Sequence, residues 1–403
     1  MAYPNHNKRK LQTYKSIFIE NIESFKREYP KFDTAYHESV IKKMLDCGTV
    51  EGGYAEYDCM HCGGDKHVVF FSCKSKLCLK CAKRYAAEAA ESIASQLIQG
   101  VKYRQVVLTI PKQFRNLFYD HDDHKQLYSS FMKIAFECLE EVLRIILKKE
   151  NIKIAAITFI HTHSRSGEYK PHIHVILGEG ALDVDDEKWL TFKKINLSTL
   201  RKTWQNHLLA FAALHFPQEI RLIWKMELLY PHGFYTHPGE KINDKVPRNN
   251  KGLLRYLTAY LASPPISLGR LEGYSNGRVY YHYNSHETGK KELEVVRPVL
   301  FLKRMMQHVM PKNFQRMRYC GLQATATFKK YLPMIIKLIG DLVDRVVNAT
   351  RKLFYAEMFQ KTVNRNPFVC RKCSKGMELS CLYHPDRGGT FFDEFAVNQG
   401  LLK

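Results

Sequence analysis

The sequence predicts an α+β fold: a central antiparallel sheet with flanking helices, an N-terminal zinc-binding module and a small C-terminal zinc knuckle. Three observations lead to this prediction. Two strand-like segments, 154–163 and 171–177, are joined by a polar connector with turn residues, which is typical of a hairpin. Long segments with helical apolar spacing lie on either side of this hairpin. Cysteines cluster within 47–81 and 370–381, which indicates metal sites rather than disulfides.

The remaining elements follow from the apolar period, which is about 3.6 residues in a helix and about two in a strand. Proline pairs and the Asn276-Gly277 dipeptide indicate boundaries and a hairpin turn. In chain order the patterns predict a basic helix within 1–35, a helix over 82–97, a strand over 103–111, a helix over 124–148, the hairpin, a mostly helical stretch over 186–215, a strand over 220–227, a polar loop over 231–251, a helix over 252–262, strands within 266–300 and helix over 300–360.

The charge balance predicts a polyanionic partner. The chain carries 62 Lys and Arg against 40 Asp and Glu, a net charge of +22. An excess spread over the whole chain favours nucleic acid, with a basic but otherwise ordinary enzyme or an RNA-associated protein as the alternative. No apolar run reaches about 18 residues, so we expect no membrane span. The basic, polar start is unlike a secretory signal, so we expect a cytoplasmic protein.

The first cysteine cluster predicts structural zinc. Two CxxC pairs could supply four thiolates to one tetrahedral ion. Two more cysteines lie nearby, so six thiolates could hold one zinc ion with two to spare, or two zinc ions. Basic residues surround the cluster and suit a module that contacts DNA. The cysteines are Cys47, Cys59, Cys62, Cys73, Cys78 and Cys81, and the basic residues are Lys74, Lys76, Lys80, Lys83 and Arg84.

The second cysteine cluster predicts a further zinc site near the end of the chain. Cys370 and Cys373 form a CxxC pair, and Cys381 and His384 follow as a CxxH pair. Three thiolates and one imidazole are a common ligand set for structural zinc. A tail with free thiols is the alternative.

Three histidines of the predicted hairpin are candidate ligands of a second kind of metal. His172 and His174 are two apart in a strand and therefore point to one face. His161 joins them only if the numbers of directly paired residues add up to an odd value, and we predict that register. His163 is the alternative third ligand. Because such a site leaves coordination positions open to a phosphate, we expect Mg²⁺ or Mn²⁺ as the working ion.

Tyr256 and Tyr260 are candidate nucleophiles. They are four residues apart, so on a helix they share one face beside a leucine stripe. Tyrosines at the boundary of a core are common, and a purely structural role is the alternative. The Lys-rich loop before them ends in Lys251, for which we predict a DNA contact. No phosphate-binding GxxxxGK[ST] sequence occurs, so we expect no nucleotide cofactor.

Several sequence blocks occur in the order found in one known family. By these blocks the chain resembles the rolling-circle insertion-sequence transposases, the two-tyrosine branch of the HUH endonucleases. The blocks are the cysteine-rich segment 71–81, the strand segment 104–111, the motif His172-Ile173-His174, the tyrosine segment 256–267 and the segment 318–322.

The resemblance implies a palm-like catalytic sheet and a metal-dependent cut of single-stranded or hairpin DNA at the ends of a mobile element. Tyr256 or Tyr260 would form a 5′-phosphotyrosine and release a 3′-OH. We accordingly expect a prokaryotic, nucleoid-associated protein, and a homodimer stays open. The expected parts are an N-terminal zinc-binding DNA-recognition domain (1–99), a catalytic domain (100–266), a hairpin and helical extension of it (267–360) and a zinc-knuckle-like tail (361–403).

Other functions stay open at this stage. A plasmid or phage replication initiator would use the same site on different DNA. A zinc-dependent DNA-binding protein without catalysis would bind but not cut. A hydrolase that uses water would leave a free 5′-phosphate and no protein adduct.

Overall fold

The chain folds into two compact units, each built from segments that are distant in sequence. The computed structural model describes residues 5–73, 75, 77–98, 101–238, 265–285, 288–339, 366–385 and 388–391. The first unit comprises residues 1–88, 262–309 and 351–403, and the second comprises 89–261 and 310–350.

Helices and strands alternate irregularly along the chain, as expected for an α+β protein. The described helices are α1 (Asn5–Glu28), α2 (Ala35–Leu45), α3 (Leu79–Gln96), α4 (Arg115–Asp120), α5 (His124–Leu147), α6 (Leu197–His215), α7 (Ile220–Leu229), α8 (Pro298–Met306) and α9 (Thr325–Ile339). The described strands are β1 (Tyr54–Asp58), β2 (Lys66–Phe70), β3 (Tyr103–Thr109), β4 (Ile152–His163), β5 (Tyr169–Asp183), β6 (Lys188–Thr191), β7 (Thr236–His237), β8 (Leu271–Ser275), β9 (Arg278–Asn284), β10 (Lys291–Val296), β11 (Met317–Gly321), β12 (Glu378–His384) and β13 (Gly388–Phe391). Among these helices, none combines the length and apolar character that a membrane span requires.

The second unit is built on an antiparallel sheet of order β11-β4-β5-β3-β7, with β6 added on β5. Helices cover both faces. On one face, strand residues such as Ile154 and Val175 pack in a core with α5 and α6. On the other, Ile157 and Phe159 pack with residues of α3 and α9. Because both of their faces are covered, β4 and β5 have nearly continuous apolar sequences.

The first unit combines helices with two smaller antiparallel sheets, β13-β12-β1-β2 and β10-β9-β8. Helix α1 buries Tyr14 and Phe18 near Phe301 of α8, with ring centroids 6.2 Å apart for Tyr14 and Phe301. Asn276 and Gly277 both have positive φ, at 49° and 64°, between β8 and β9. The predicted Asn-Gly hairpin turn is therefore confirmed.

Three predicted elements differ from the structure. Segment 220–227 is helical, not a strand, because Ile223 and Met226 are buried three residues apart while Trp224 between them is exposed. The stretch 186–215 contains strand β6 before its helix. Within 300–360, β11 forms an edge of the large sheet, which the helical prediction missed.

The division into units also differs from the four expected parts. We expected 267–360 to extend the catalytic domain. Instead, residues 262–309 belong with the N-terminal segment, because α1 packs against α8 and β8. The C-terminal segment joins the same unit, because β12 pairs with β1.

A buried ion pair joins two strands of the large sheet. Arg104 of β3 donates through Nε and Nη2 to Glu179 Oε1 of β5, at 3.0 and 2.6 Å. Arg104 also donates to the Lys193 carbonyl at 2.9 Å. The two side chains are only 5% and 7% exposed, so either charge alone would be buried without compensation.

Replacing Glu179 with Ala should therefore destabilise the protein strongly. Breaking a buried pair from one side costs about 3–5 kcal/mol, because the remaining charge keeps its desolvation cost. Urea unfolding measures this loss. The double variant Arg104→Met/Glu179→Leu is the control and should lose less than Glu179→Ala. A single variant as stable as the wild type would contradict the role assigned to this pair.

Candidate functional site

The pairing of β4 with β5 brings three histidines to one face of the large sheet. His161 lies directly opposite His172, and Phe159 lies opposite His174. The paired numbers add up to an odd value, so the predicted register is confirmed. Since directly paired residues share a face, and so do residues two apart in a strand, the three imidazoles project from the same side.

The three rings lie close enough to share one ion. The ring centroid of His161 is 4.4 Å from that of His174 and 5.4 Å from that of His172. Nε2 of His172 and Nε2 of His174 are 3.0 Å apart. One ligand nitrogen from each of the three histidines falls within a group spanning 4.8 Å.

Burial keeps these imidazoles neutral, which is the form that binds metal. It lowers the pKa of His172 to about 4 and the pKa of His174 well below its usual value. Burial, followed by the charges of the neighbouring histidines and Arg316, also lowers the pKa of His161. A neutral histidine carries one N–H, so the bond made by its other nitrogen decides which nitrogen is free to bind an ion.

Hydrogen bonds orient the two histidines of β5. His172 Nδ1 donates to the Lys170 carbonyl at 2.7 Å, which leaves its Nε2 lone pair directed at the cluster. Nε2 of the Gln105 side chain in β3 contacts His174 Nδ1. A 180° rotation of this amide would place its oxygen on Nδ1, so that His174 would donate through Nδ1 and present the lone pair of Nε2.

The residues present fit a divalent ion. Nε2 of His161 is buried and has no hydrogen-bond partner among the described residues. A buried nitrogen of this kind is costly unless something binds it. Two nitrogens that bind one ion at about 2.1 Å and at right angles are about 3.0 Å apart, which matches His172 and His174. Three protein ligands leave further coordination positions for a substrate oxygen.

His163 lies outside the group, although it also projects from β4. The β4–β5 ladder shifts register between His161 and His163, where His163 pairs with Tyr169. The ring of His163 instead stacks on that of His161, with an interplanar angle of 12° and 5.6 Å between centroids. The geometry therefore favours His161 over His163 as the third ligand.

Arg316 adds a positive charge beside the histidines. Its carbonyl accepts a hydrogen bond from the Ile160 amide at 3.1 Å, which ties the segment before β11 to β4 next to His161. Its Nε is buried and has no hydrogen-bond partner in the described part of the chain. Burial lowers the pKa of Arg316 to about 10, so the side chain remains a cation at neutral pH.

The first group of cysteines consists of Cys47, Cys73, Cys78 and Cys81. Sγ of Cys81 is 3.5 Å from Sγ of Cys47 and 3.7 Å from Sγ of Cys73. Four sulfurs around zinc at about 2.3 Å are about 3.8 Å apart, so the group fits this ion. Contacts with Cys47, then with Cys78 and Cys81, raise the pKa of Cys73. A bound dication would stabilise all four sulfurs as thiolates.

Helix α1 holds the loops that carry these cysteines. The buried ammonium of Lys15 donates to the carbonyls of Leu45 and Cys47 at 2.7 and 2.9 Å. The hydroxyl of Tyr14 donates to the carbonyl of Leu77, next to Cys78, at 3.1 Å. Four cysteines that are separated by up to 34 residues thus converge through a polar framework.

The second group consists of Cys59, Cys62, Cys370 and Cys373. This grouping differs from the sequence prediction in two respects. First, the CxxC pairs at 59–62 and 78–81 lie in different groups, so they fit two zinc ions rather than one shared ion. Second, Cys381 and His384 do not join Cys370 and Cys373, because Cys381 lies within β12 and pairs with Glu56 of β1 and Phe391 of β13.

Several predicted functional residues lie outside the described part of the chain. These are the candidate nucleophiles Tyr256 and Tyr260 and the predicted DNA-contacting residues Lys74, Lys76 and Lys251. Lys83 and Arg84 belong to α3, but their side chains are not described, and Lys80 is exposed at the start of that helix.

Two residues of the histidine site escaped sequence analysis. Gln105 alternates with buried strand residues and could have been found by pairing β3 with β5, which sets Val107 opposite His174. Arg316 could not have been found from the sequence, because no local pattern indicates that the residues just before β11 lie beside β4.

The chain is similar to known transposases. A domain family described as "Putative transposase" matches residues 155–330, and one described as "Transposase zinc-binding domain" matches residues 17–110. The chain is 27% identical over 354 residues to the transposase for insertion sequence element IS801 of Pseudomonas savastanoi pv. phaseolicola, which covers 84% of this chain and 82% of that protein. It is 22% identical over 380 residues to the putative transposase y4qJ of Sinorhizobium fredii (strain NBRC 101917 / NGR234), covering 90% of this chain and 93% of that protein. No solved structure matches the chain significantly.

Replacing His161 with Ala should weaken divalent metal binding at the histidine group by at least about tenfold, because one of three ligands is lost. Electron paramagnetic resonance of free Mn²⁺ measures this affinity without interference from thiolate sites, which prefer softer ions. His163→Ala is the matched control and should bind like the wild type. Equal losses in both variants, or a loss only in His163→Ala, would refute His161 as the third ligand.

Proposed function

We propose that this chain, which is similar to insertion-sequence transposases, nicks single-stranded DNA at the ends of its mobile element and transfers the cut strand through a 5′-phosphotyrosine. The relatives named above are transposases, which favours this family over a replication initiator.

The histidine group is the observation that carries the proposal. Cutting DNA requires a site that binds a phosphate and withdraws charge from it. His161, His172 and His174 present neutral ring nitrogens with open coordination, and the cationic Arg316 lies beside them. Together these groups provide what a phosphodiester needs, and no acidic side chain belongs to the group among the described residues.

Each side chain has a separate role in the proposed reaction. His161, His172 and His174 would hold a divalent ion, which would supply Lewis-acid polarisation of the scissile phosphate. Lys170 and Gln105 keep His172 and His174 oriented through their Nδ1 atoms. Arg316 offers a guanidinium to a phosphate oxygen and so opposes the charge that develops there. Tyr256 or Tyr260 attacks the phosphorus, which releases the 3′-oxygen of the cut strand.

Only a short length of chain separates the histidine strands from Tyr256 in sequence. Strand β7 is the last described element before residue 239, and its His237 pairs with Val107 of β3. Val107 in turn pairs with His174. Neighbouring strands are about 4.8 Å apart, so β7 lies about 10 Å from His174. The eighteen or so residues from there to Tyr256 have ample reach for an attack at the site.

Three finer expectations belong to the same proposal. The partner is single-stranded or hairpin DNA, recognised in part by the zinc-binding unit. The working ion is Mg²⁺ or Mn²⁺, and the zinc ions are structural. The place of action is the cytoplasm, at the nucleoid.

A covalent protein–DNA adduct tests the nucleophiles. Wild-type protein, a single-stranded oligonucleotide of the element's end and Mn²⁺ should give a complex that survives a denaturing gel. The double variant Tyr256→Phe/Tyr260→Phe should give none, because a phenyl ring has no oxygen to attack with.

Tyr280→Phe is the control for this assay, since Tyr280 lies in β9 of the other unit and should leave the adduct unchanged. An adduct in the double variant would exclude the two tyrosines. DNA cut to a free 5′-phosphate without any adduct would indicate a hydrolase, and DNA bound but never cut would indicate a non-catalytic protein.

Arg316→Gln should slow adduct formation by about a hundredfold, the usual loss when one donor to a developing oxyanion is removed. Single-turnover kinetics at saturating DNA isolate this effect from binding. Arg318→Gln is the matched control, since Arg318 bonds instead to the Ser129 hydroxyl at 2.6 Å. Equal rates for Arg316→Gln and wild type would remove Arg316 from the proposed reaction.

A further inference from the structure

The second cysteine group joins parts of the chain that are about three hundred residues apart. We propose that Cys59, Cys62, Cys370 and Cys373 bind a second structural zinc ion in a split zinc ribbon, of which the N-terminal segment supplies one half and the C-terminal segment the other. This site is separate from the group around Cys81, and it cannot form without residues 366–391.

Four sulfurs converge as zinc requires. Sγ of Cys59 is 3.4 Å from Sγ of Cys373 and 3.6 Å from Sγ of Cys62. Sγ of Cys62 is 3.6 Å from Sγ of Cys370. These separations approach the value of about 3.8 Å for tetrahedral zinc thiolates. The two contacts that join different segments are as close as the contact within one CxxC pair, so neither segment holds the group by itself.

The two CxxC turns have the same backbone structure. Gly63 donates to the Cys59 carbonyl at 2.8 Å, and Ser374, at the equivalent position, donates to the Cys370 carbonyl at 3.0 Å. Both residues are left-handed, with φ of 59° for Gly63 and 58° for Ser374. A non-glycine residue in this region is uncommon and is retained where the surrounding structure requires it.

Hydrogen bonds to sulfur complete the C-terminal turn. The amides of Lys372 and Cys373 donate to Cys370 Sγ at 3.3 and 3.4 Å. Such bonds stabilise a negatively charged sulfur and hold it in the orientation that a metal needs. This local geometry favours a thiolate ligand over a free thiol.

A shared sheet and an ion pair fix the two halves to each other. Strand β1 pairs with β2 on one side and with β12 on the other, so each half contributes a strand next to β1. Arg371 Nη2 and Nε bond to Asp65 Oδ1 at 2.5 and 2.9 Å, and the Arg371 amide donates to Asp65 Oδ2 at 2.7 Å. Asp65 follows the first CxxC turn and Arg371 lies inside the second.

The site buries a small core of its own. Cys59, Cys370 and Met377 are buried together, with Tyr57 packed against them. A core of this size cannot hold a fold without a metal, since small zinc modules depend on the ion for most of their stability. Completion of the ribbon therefore depends on zinc and on the end of the chain being present.

Zinc content and thiol reactivity of the full-length protein test the pairing. The wild type should contain two zinc ions, and Cys370→Ser should contain one. In Cys370→Ser, alkylation followed by peptide mass spectrometry should find Cys59 and Cys62 reactive while Cys78 and Cys81 stay protected. Cys381→Ser is the matched control, since this buried cysteine of β12 lies outside the group, and it should keep both ions.

A second measurement needs no variant and applies even if Cys370→Ser does not fold. During gradual chelation of the wild type, Cys59, Cys62, Cys370 and Cys373 should become reactive together, as one set. Cys47, Cys73, Cys78 and Cys81 should form the other set. Joint exposure of Cys59 and Cys62 with Cys78 and Cys81, or a Cys370→Ser protein with both zinc ions, would overturn the split ribbon.

Discussion

The register of one antiparallel strand pair is the constraint on which the second unit depends. With His161 opposite His172, three imidazoles share a face, and a slip of one residue would send His161 to the opposite core. The packing of both faces holds this register, because β4 and β5 are buried on each side. Core packing and the grouping of the three histidines therefore depend on the same alignment of the hairpin.

The first unit is held together by contacts between parts of the chain that are distant in sequence. Residues 262–309 and the C-terminal segment belong to the same unit as the N-terminal segment, so most of the second unit lies between them in sequence. Bringing these distant segments together costs conformational entropy, although the cost grows only slowly with the length of chain between them. Zinc thiolate bonding at the proposed second site would be strong enough to offset this cost.

The accuracy of prediction from sequence depended on how local each interaction is. The register that brings His161 to His172 could be predicted from strand alternation, because only an odd sum of paired numbers puts the three histidines on one face. The turn does not fix this register, since the ladder shifts between His161 and His163. The helix at 220–229 could not be predicted, because a short apolar run fits both periods. The division of the cysteines into two groups could not be predicted for another reason. Their spacing indicates that Cys59 and Cys62 act together, but whether they join Cys78 or Cys370 depends on tertiary contacts.

The register shift between His161 and His163 makes the arrangement of the three histidines independent of the hairpin loop. The regular ladder ends at His161, and the extra residue is absorbed before the turn. The loop then closes on itself, with the Ser164 amide bonded to the Glu168 carbonyl at 2.9 Å. Its length and composition can consequently drift during evolution at little cost to the histidines.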